Sequence, residues 1–172
     1  MKKIAFFFYI LLTLSYCFSE NKKTSTFYDV DFGATKETAL AEIKKSKNYK
    51  YEWDDAISIA AKPKKNKNSD FELNEIQYYY NRDGYIQKIE ATYKTKYSDF
   101  KQKLLNALIC LYLKNNNFRI TSAEFIEDEL FSIDLVNSID FVDITLRISN
   151  ITGDIIETIE KTNMSSLNYC SH

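Results

Sequence analysis

The segment SDFKQKLLNALICLYLKNN, residues Ser98–Asn116, carries the longest helical pattern in the chain. Its apolar residues recur every three or four positions, so they form one broad arc on a helical wheel. The members of this arc are Phe100, Leu104, Leu105, Ala107, Leu108, Ile109, Leu111 and Tyr112. The opposite, polar arc contains Lys103, Asn106, Cys110 and Lys114. An apolar arc this wide predicts a helix that packs against more than one surface.

The segments before this helix predict one shorter helix and a long strand. Thr35 is a suitable N-cap residue for a helix over Thr35–Lys47. From Tyr49 to Lys62 apolar and polar residues alternate, which is the pattern of a half-buried strand. Asp54 and Asp55 mark a bulge or a break in this strand.

A β-hairpin over Phe71–Lys94 is the clearest local signal. Asp83-Gly84 matches the preference of a two-residue type I′ turn, and the hydrophobic alternation on either side agrees with the register that this turn imposes. The predicted pairs are Ile76 with Ala91, Gln77 with Glu90, Tyr78 with Ile89, Tyr79 with Lys88, and Tyr80 with Gln87. Tyr79 then lies on the polar side of the hairpin.

Four further strand patterns follow the long helix. They cover Phe118–Glu127, Leu130–Val136, Ile139–Ser149 and Asp154–Lys161. We therefore predict an α+β fold, in which an antiparallel β-sheet packs on two α-helices. Both halves of the chain share an order of helix, long strand and terminal hairpin, which leaves open a faint α-βββ duplication.

The N-terminus predicts an export signal. Lys2 and Lys3 precede the apolar run Ile4–Leu14, which is shorter than the roughly 20 residues of a membrane-spanning helix. We expect cleavage after Ser19, and the alternative is lipid attachment at Cys17, where the preceding residues look like a lipoprotein box. The predicted organisation is a signal peptide over residues 1–19, a flexible lead-in over 20–26, one domain over 27–163 and a C-terminal tail over 164–172.

Composition limits the kinds of partner. The chain has 172 residues, of which 45% are hydrophobic and 27% charged, so it suits a single soluble domain with its own core. Its formal net charge of −1 becomes more negative when Lys2 and Lys3 leave with the signal, so nucleic acid is not an expected partner. Together with the export signal, the Lys-, Asn- and Ile-rich composition indicates a bacterial protein of the periplasm or cell envelope, or a secreted one, with an AT-rich eukaryotic parasite as the minor alternative.

The segment DFGATKETA, residues Asp31–Ala39, resembles the Gly-x-Thr helix start of small envelope lipoproteins of the SmpA/OmlA type. The resemblance covers this short segment alone. It implies a small exported lipoprotein-like domain.

Residues that commonly carry catalysis are scarce. The only histidine, His172, is the last residue of the sequence, which makes a histidine-based nucleophile pair or a two-histidine metal site improbable. The three glycines lie too far apart for a phosphate-binding loop. We therefore predict no catalytic, cofactor-binding or metal-binding residues, and no enzymatic activity.

Two acidic clusters are the alternative to that prediction. They are Asp54-Asp55 and Glu127-Asp128-Glu129. Either cluster is a candidate Ca²⁺ site or acid/base pair, which would make the protein a hydrolase that works without histidine. Neither has the ligand spacing of a known calcium loop, so we interpret both as solvated turns.

The leading functional prediction is a non-catalytic binding protein. Its expected partner is another envelope or extracellular protein, bound through an exposed face or edge of the sheet. Candidate ligand-surface residues are Tyr79 and the basic loop residues Lys64, Lys65 and Lys67; the plain alternatives are a core tyrosine and a charged loop that blocks strand pairing. A structural lipoprotein anchored at Cys17 is a further alternative.

Cysteine usage predicts a disulfide. Once the signal has been removed, Cys110 and Cys170 remain as an even pair in an oxidising compartment. Cys110 lies on the polar arc of the long helix, and the C-terminal tail is long enough to reach it. The alternative is that Cys110 is an ordinary helix residue and Cys170 a thiol in the tail.

Overall fold

Ten strands and two helices follow one another along residues 26–65, 71–95, 98–114 and 117–161, the ranges that the computed structural model describes. The elements of the first half are β1 (Thr26–Phe27), β2 (Val30–Asp31), α1 (Lys36–Lys45), β3 (Tyr49–Asp54), β4 (Ser58–Pro63), β5 (Phe71–Tyr80) and β6 (Ile86–Thr95). Those of the second half are α2 (Ser98–Leu113), β7 (Phe118–Ile126), β8 (Glu129–Asn137), β9 (Val142–Ile148) and β10 (Ile155–Lys161).

Strands β3 to β10 form one eight-stranded antiparallel sheet in the order β3-β4-β5-β6-β10-β9-β8-β7. Each half of the chain therefore supplies a four-stranded meander that follows a helix. The last strands of the two meanders, β6 and β10, pair with each other at the centre of the sheet. Strands β3 and β7 form its two edges, while β1 and β2 form a separate small hairpin.

The predicted α+β class, a sheet packed on two helices, is wrong. Strands make up 56% of the structure and helices 19%, so the fold is β-rich. The predicted α-βββ repeat is also wrong by one strand. The Tyr49–Lys62 segment, predicted as one long strand, is a hairpin of two strands, β3 and β4. Alternating polarity looks the same in one long strand as in two shorter ones, so the pattern hid the reversal.

Asp55 produces that reversal. Its side-chain oxygen Oδ1 accepts hydrogen bonds from the backbone N–H groups of Ile57, at 2.9 Å, and Ser58, at 2.7 Å. An aspartate that bonds to the backbone two and three residues ahead folds the chain into a turn. The break expected at Asp54 and Asp55 is thus a complete change of direction.

The β5–β6 hairpin has the predicted register over most of its length. Four of the five predicted pairs are confirmed: Ile76 with Ala91, Gln77 with Glu90, Tyr78 with Ile89, and Tyr79 with Lys88. The fifth is wrong, because Tyr80 lies opposite Ile86 after a bulge. The N–H of Asn81 bonds to the carbonyl of Tyr85, and the N–H of Gly84 to the carbonyl of Asn81. The connection is therefore a three-residue loop with Gly84 at a φ of 80°, instead of a two-residue type I′ turn.

Both predicted helices are confirmed, with shorter C-terminal ends. The hydroxyl of Thr35 caps α1 by accepting a hydrogen bond from the N–H of Thr38. On α2 the buried side chains are Leu104, Leu105, Leu108, Ile109 and Tyr112. Leu111 is 61% exposed and Ala107 is also exposed, so the apolar arc predicted for this helix was too wide on that side.

Candidate functional site

The two faces of the eight-stranded sheet differ in burial. Side chains on one face, the inner face, join a single core with α1, α2 and the β1–β2 hairpin. We call the opposite side the open face. Its central row of registered residues runs across the sheet through Trp53, Ala60, Gln77, Glu90, Thr158, Thr145 and Asp134. All of these except Ala60 are exposed or half-buried, so no other element of the described chain covers this face.

Small hydroxyl side chains occupy the middle of the open face, at Thr158 and Thr145. Larger groups surround them. Trp53, the only tryptophan of the sequence, is 39% exposed at the β3 edge, and Arg147 lies exposed on β9. Tryptophan, tyrosine and arginine are the side chains that contribute most to protein interfaces. The face therefore combines a shallow centre with suitable anchor residues at its periphery.

Tyr79 lies on the open face, and its neighbours hold it in place. Its hydroxyl donates a hydrogen bond to Glu90 Oε2 at 3.0 Å, and Lys88 Nζ lies 4.4 Å from the centre of its ring. Lys88 also forms an ion pair with Glu90 at 3.1 Å. Burial, followed by the charge of Glu90, raises the pKa of Tyr79, so its hydroxyl remains a neutral donor. The predicted candidate residue is thus part of an ordered aromatic and charged group.

The basic residues predicted to share a surface with Tyr79 lie elsewhere. Lys64 follows β4, where its Nζ donates a hydrogen bond to the carbonyl of Ser46 at 2.6 Å. Tyr79 pairs with Ser58 at the other end of the same strand, about 20 Å away at the usual rise per residue. Lys65 is exposed beside Lys64, and Lys67 lies outside the described residues. The structure therefore does not bring Lys64 and Lys65 together with Tyr79.

The two acidic clusters form turns at opposite edges of the sheet. Asp54 makes an ion pair with Lys36 at 2.6 Å, and Asp55 closes the β3–β4 turn. Glu127 and Asp128 connect β7 to β8, with φ values of 50° and 69°. Six strand spacings separate β3 from β8, or about 29 Å, so no carboxylate pair forms between the clusters.

A groove of about 440 Å³ lies beside the β7–β8 turn, near the start of α2. Its lining combines apolar side chains with charges of both signs. The lining residues include Lys101, Ile126, Glu129, Leu130, Phe131 and Ile148. This mixture does not identify one class of ligand.

Sequence reasoning missed a buried carboxyl group at the centre of the fold. Glu157 lies on β10 with its side chain fully buried on the inner face. The Tyr112 hydroxyl of α2 is hydrogen-bonded to its Oε1 atom, and the hydroxyls of Tyr28 and Tyr93 are hydrogen-bonded to its Oε2 atom, the Tyr93 bond at 3.1 Å. Burial raises the pKa of Glu157 to about 8. The only sequence signal is its place between Ile155 and Ile159, where the alternation calls for an apolar side chain.

The predicted cysteine sites remain predictions. Cys110 lies half-buried on α2, whereas Cys17 and Cys170 both lie outside the described residues. The same holds for the predicted signal peptide. No helix within the described ranges is long and apolar enough to cross a membrane. In that same part of the chain, no cluster of three or more His, Cys, Asp or Glu residues is placed to hold a metal ion.

Comparison with known proteins adds no relative. No family model matches the chain, and neither a curated protein nor a solved structure is significantly similar to it.

Proposed function

We propose that this chain is an exported, non-catalytic binding protein that docks one folded partner protein on the open face of its sheet. The observation that supports this most is the asymmetry of the sheet. Its inner face is covered by two helices and a hairpin, whereas the open face presents Trp53, Tyr79 and Arg147 around a centre of small hydroxyl residues. Export rests on the charged and apolar N-terminal segment.

The dimensions of the open face suit a protein partner. Eight strands spaced about 4.8 Å apart and on average about eight residues long give a surface of roughly 35 Å by 26 Å. The resulting area of about 900 Å² is close to the roughly 800 Å² that each partner contributes to a standard protein interface. A small molecule would use only a fraction of this surface.

Charge favours a different protein over a second copy of this chain. The central row carries carboxylates at Glu90 and Asp134, whereas the basic residues Lys88 and Arg147 lie beside this row and Lys88 already forms an ion pair with Glu90. Two copies packed centre to centre would bring their rows of carboxylates together, which disfavours binding. We therefore assign the face to a partner that presents lysine or arginine side chains.

The test uses the chain from residue 20 to residue 172 as bait in an extract of its native cells. The intact mass of the native protein checks this starting point, because a lipid-modified N-terminus at Cys17 would contradict it.

Thr158→Arg places a large charged side chain at the centre of the open face. We expect it to reduce capture of the partner at least tenfold while leaving the melting temperature nearly unchanged.

The matched control is Ala107→Arg, which introduces the same side chain on the exposed side of α2. It should leave capture intact, and capture by the unaltered chain should weaken as salt concentration rises. Equal capture by both variants, capture of this chain by itself alone, or no captured protein would each contradict the proposal.

A further inference from the structure

The β1–β2 hairpin reaches into the core at its turn. Its two turn residues, Tyr28 and Asp29, have φ values of 52° and 65°. This left-handed conformation is uncommon for residues other than glycine, and rare for a bulky aromatic residue. Such a turn persists only where surrounding contacts hold it.

Several contacts hold this turn in place. The Tyr28 hydroxyl is hydrogen-bonded to Glu157 and to the hydroxyl of Tyr93. The backbone carbonyl of Tyr28 accepts a hydrogen bond from the Tyr78 hydroxyl at 2.9 Å. The ring of Tyr28 packs edge-on against Tyr49. The carboxylate of Asp29 accepts hydrogen bonds from Ser46 Oγ at 2.6 Å and from Asn48 Nδ2 at 3.1 Å. The conformation of the hairpin thus depends on its contacts with the core, and the most buried of these contacts is with the titratable carboxyl group of Glu157.

We propose that the β1–β2 hairpin is a proton-controlled latch, docked while Glu157 is protonated and released as Glu157 ionises. Tyr28 is the only one of the three phenols bonded to Glu157 that lies outside both the sheet and α2. Its release therefore admits water to the carboxyl group while the other two phenols stay in place. The proposal is independent of partner binding on the open face.

The sign of the pH dependence follows from burial and from the number of protons in the cluster. The three hydrogen bonds among Glu157 Oε2, the Tyr28 hydroxyl and the Tyr93 hydroxyl need three protons, and the two phenols supply only two, so a protonated carboxyl group completes them. In the docked state burial raises the pKa of Glu157 from 4.5 to about 8, and in the released state hydration returns it toward its ordinary value. A raised carboxyl pKa favours the docked state in acid. The contribution of Glu157 to the ratio of docked to released hairpin is therefore largest below about pH 4.5, and it falls by up to about tenfold per pH unit until it levels off above about pH 8.

Other titratable groups near the latch behave differently. Burial raises the pKa of Tyr49 on β3, Tyr93 on β6 and Tyr112 on α2, so these phenols remain neutral across this range. Burial likewise raises the pKa of Tyr78 on β5. The strand neighbours of Glu157 in register, Ala91 and Leu146, are apolar. Glu42 on α1 is a second carboxyl whose pKa burial raises, so the test must separate it from Glu157.

Amide hydrogen exchange of residues 27–31, corrected for the intrinsic effect of pH, measures docking directly. We expect protection of the hairpin to fall at least tenfold between pH 5 and pH 8 in the unaltered chain, and to stay constant in Glu157→Gln. Tyr28→Phe keeps the ring but removes its hydroxyl, so it should lower protection at pH 5. Amides of β6 and β10 in the same samples should keep their protection, since the opening is local.

Three results would overturn the latch. One is constant protection of the hairpin in the unaltered chain, and another is an unchanged pH profile in Glu157→Gln, which would point to Glu42. The third is a parallel loss of protection in β6 and β10, which would indicate global unfolding. Should Glu157→Gln fail to fold, the carboxyl ¹³C shift of Glu157 in the unaltered chain decides, because titration near 4.5 excludes the proposal.

Discussion

The two halves of the molecule share an order of elements but cover the inner face of the sheet differently. Each half is a helix followed by a four-stranded antiparallel meander. In the first half, α1 has ten residues and contacts β2, β3 and β4. In the second half, α2 has sixteen residues and contacts β5 through β9. The longer helix thus covers its own meander and extends across the centre onto the other one.

The short helix leaves a gap that the β1–β2 hairpin fills. Of the side chains on α1, Ala39 and Ile43 are buried. The hairpin that precedes this helix adds Val30 and the nearby Phe32 to the same core, and Tyr28 reaches Glu157 on the other half. The inner face of the first half is therefore covered by α1 and the β1–β2 hairpin together, whereas the inner face of the second half is covered by α2 alone. This difference predicts where the fold is most sensitive to substitution.

The largest effect is expected on α2. Leu105 is fully buried where this helix crosses the sheet, so Leu105→Ala removes apolar contacts and leaves a cavity. We expect it to lower the free energy of unfolding by about 2–5 kcal/mol, measured by denaturant unfolding. Leu111→Ala is the matched control because that side chain is 61% exposed, and its effect should stay within about 0.5 kcal/mol. Similar effects of the two substitutions would mean that α2 does not dominate the cover.

A smaller effect is expected at the β5–β6 loop of the first half. Gly84 adopts a φ of 80° there, which a β-branched side chain tolerates poorly. Gly84→Val should lower the free energy of unfolding by about 1 kcal/mol or more, whereas Gly84→Asn should lower it less because asparagine tolerates this conformation. An unchanged melting temperature for Gly84→Val would show that the loop adopts another conformation in solution.

The smallest effect is expected at the β7–β8 turn of the second half. Glu127 and Asp128 both have positive φ, the geometry of a type I′ turn, without the glycine that usually follows asparagine or aspartate in such a turn. Asp128→Gly should therefore raise the free energy of unfolding by about 0.5–1 kcal/mol, measured by thermal denaturation. A destabilised Asp128→Gly variant would show that the aspartate side chain supports this turn more than its backbone conformation strains it.

Much of the secondary structure was predictable because it depends on local patterns. Thr35 caps α1 as expected, and four pairs of the β5–β6 hairpin have the predicted register. The predicted register is correct although the predicted turn type is wrong, because the bulge at Tyr80 accommodates the additional loop residue. The β3–β4 reversal was predicted only as a bulge or a break at Asp54 and Asp55, because the alternating pattern resumes after them, whereas the Asp55 side chain reverses the chain there.

By itself, the sequence determined both helices, most of the strands and the apolar side of each of those strands, since periodicity, capping and turn chemistry act over a few residues. Only the tertiary structure decided the order of the eight strands, the open face and the surroundings of Glu157. The tyrosines that bond to Glu157 lie 45, 64 and 129 positions away along the chain. No local pattern can bring them together, because that proximity exists only once β6, β10, α2 and the N-terminal hairpin have packed around one core.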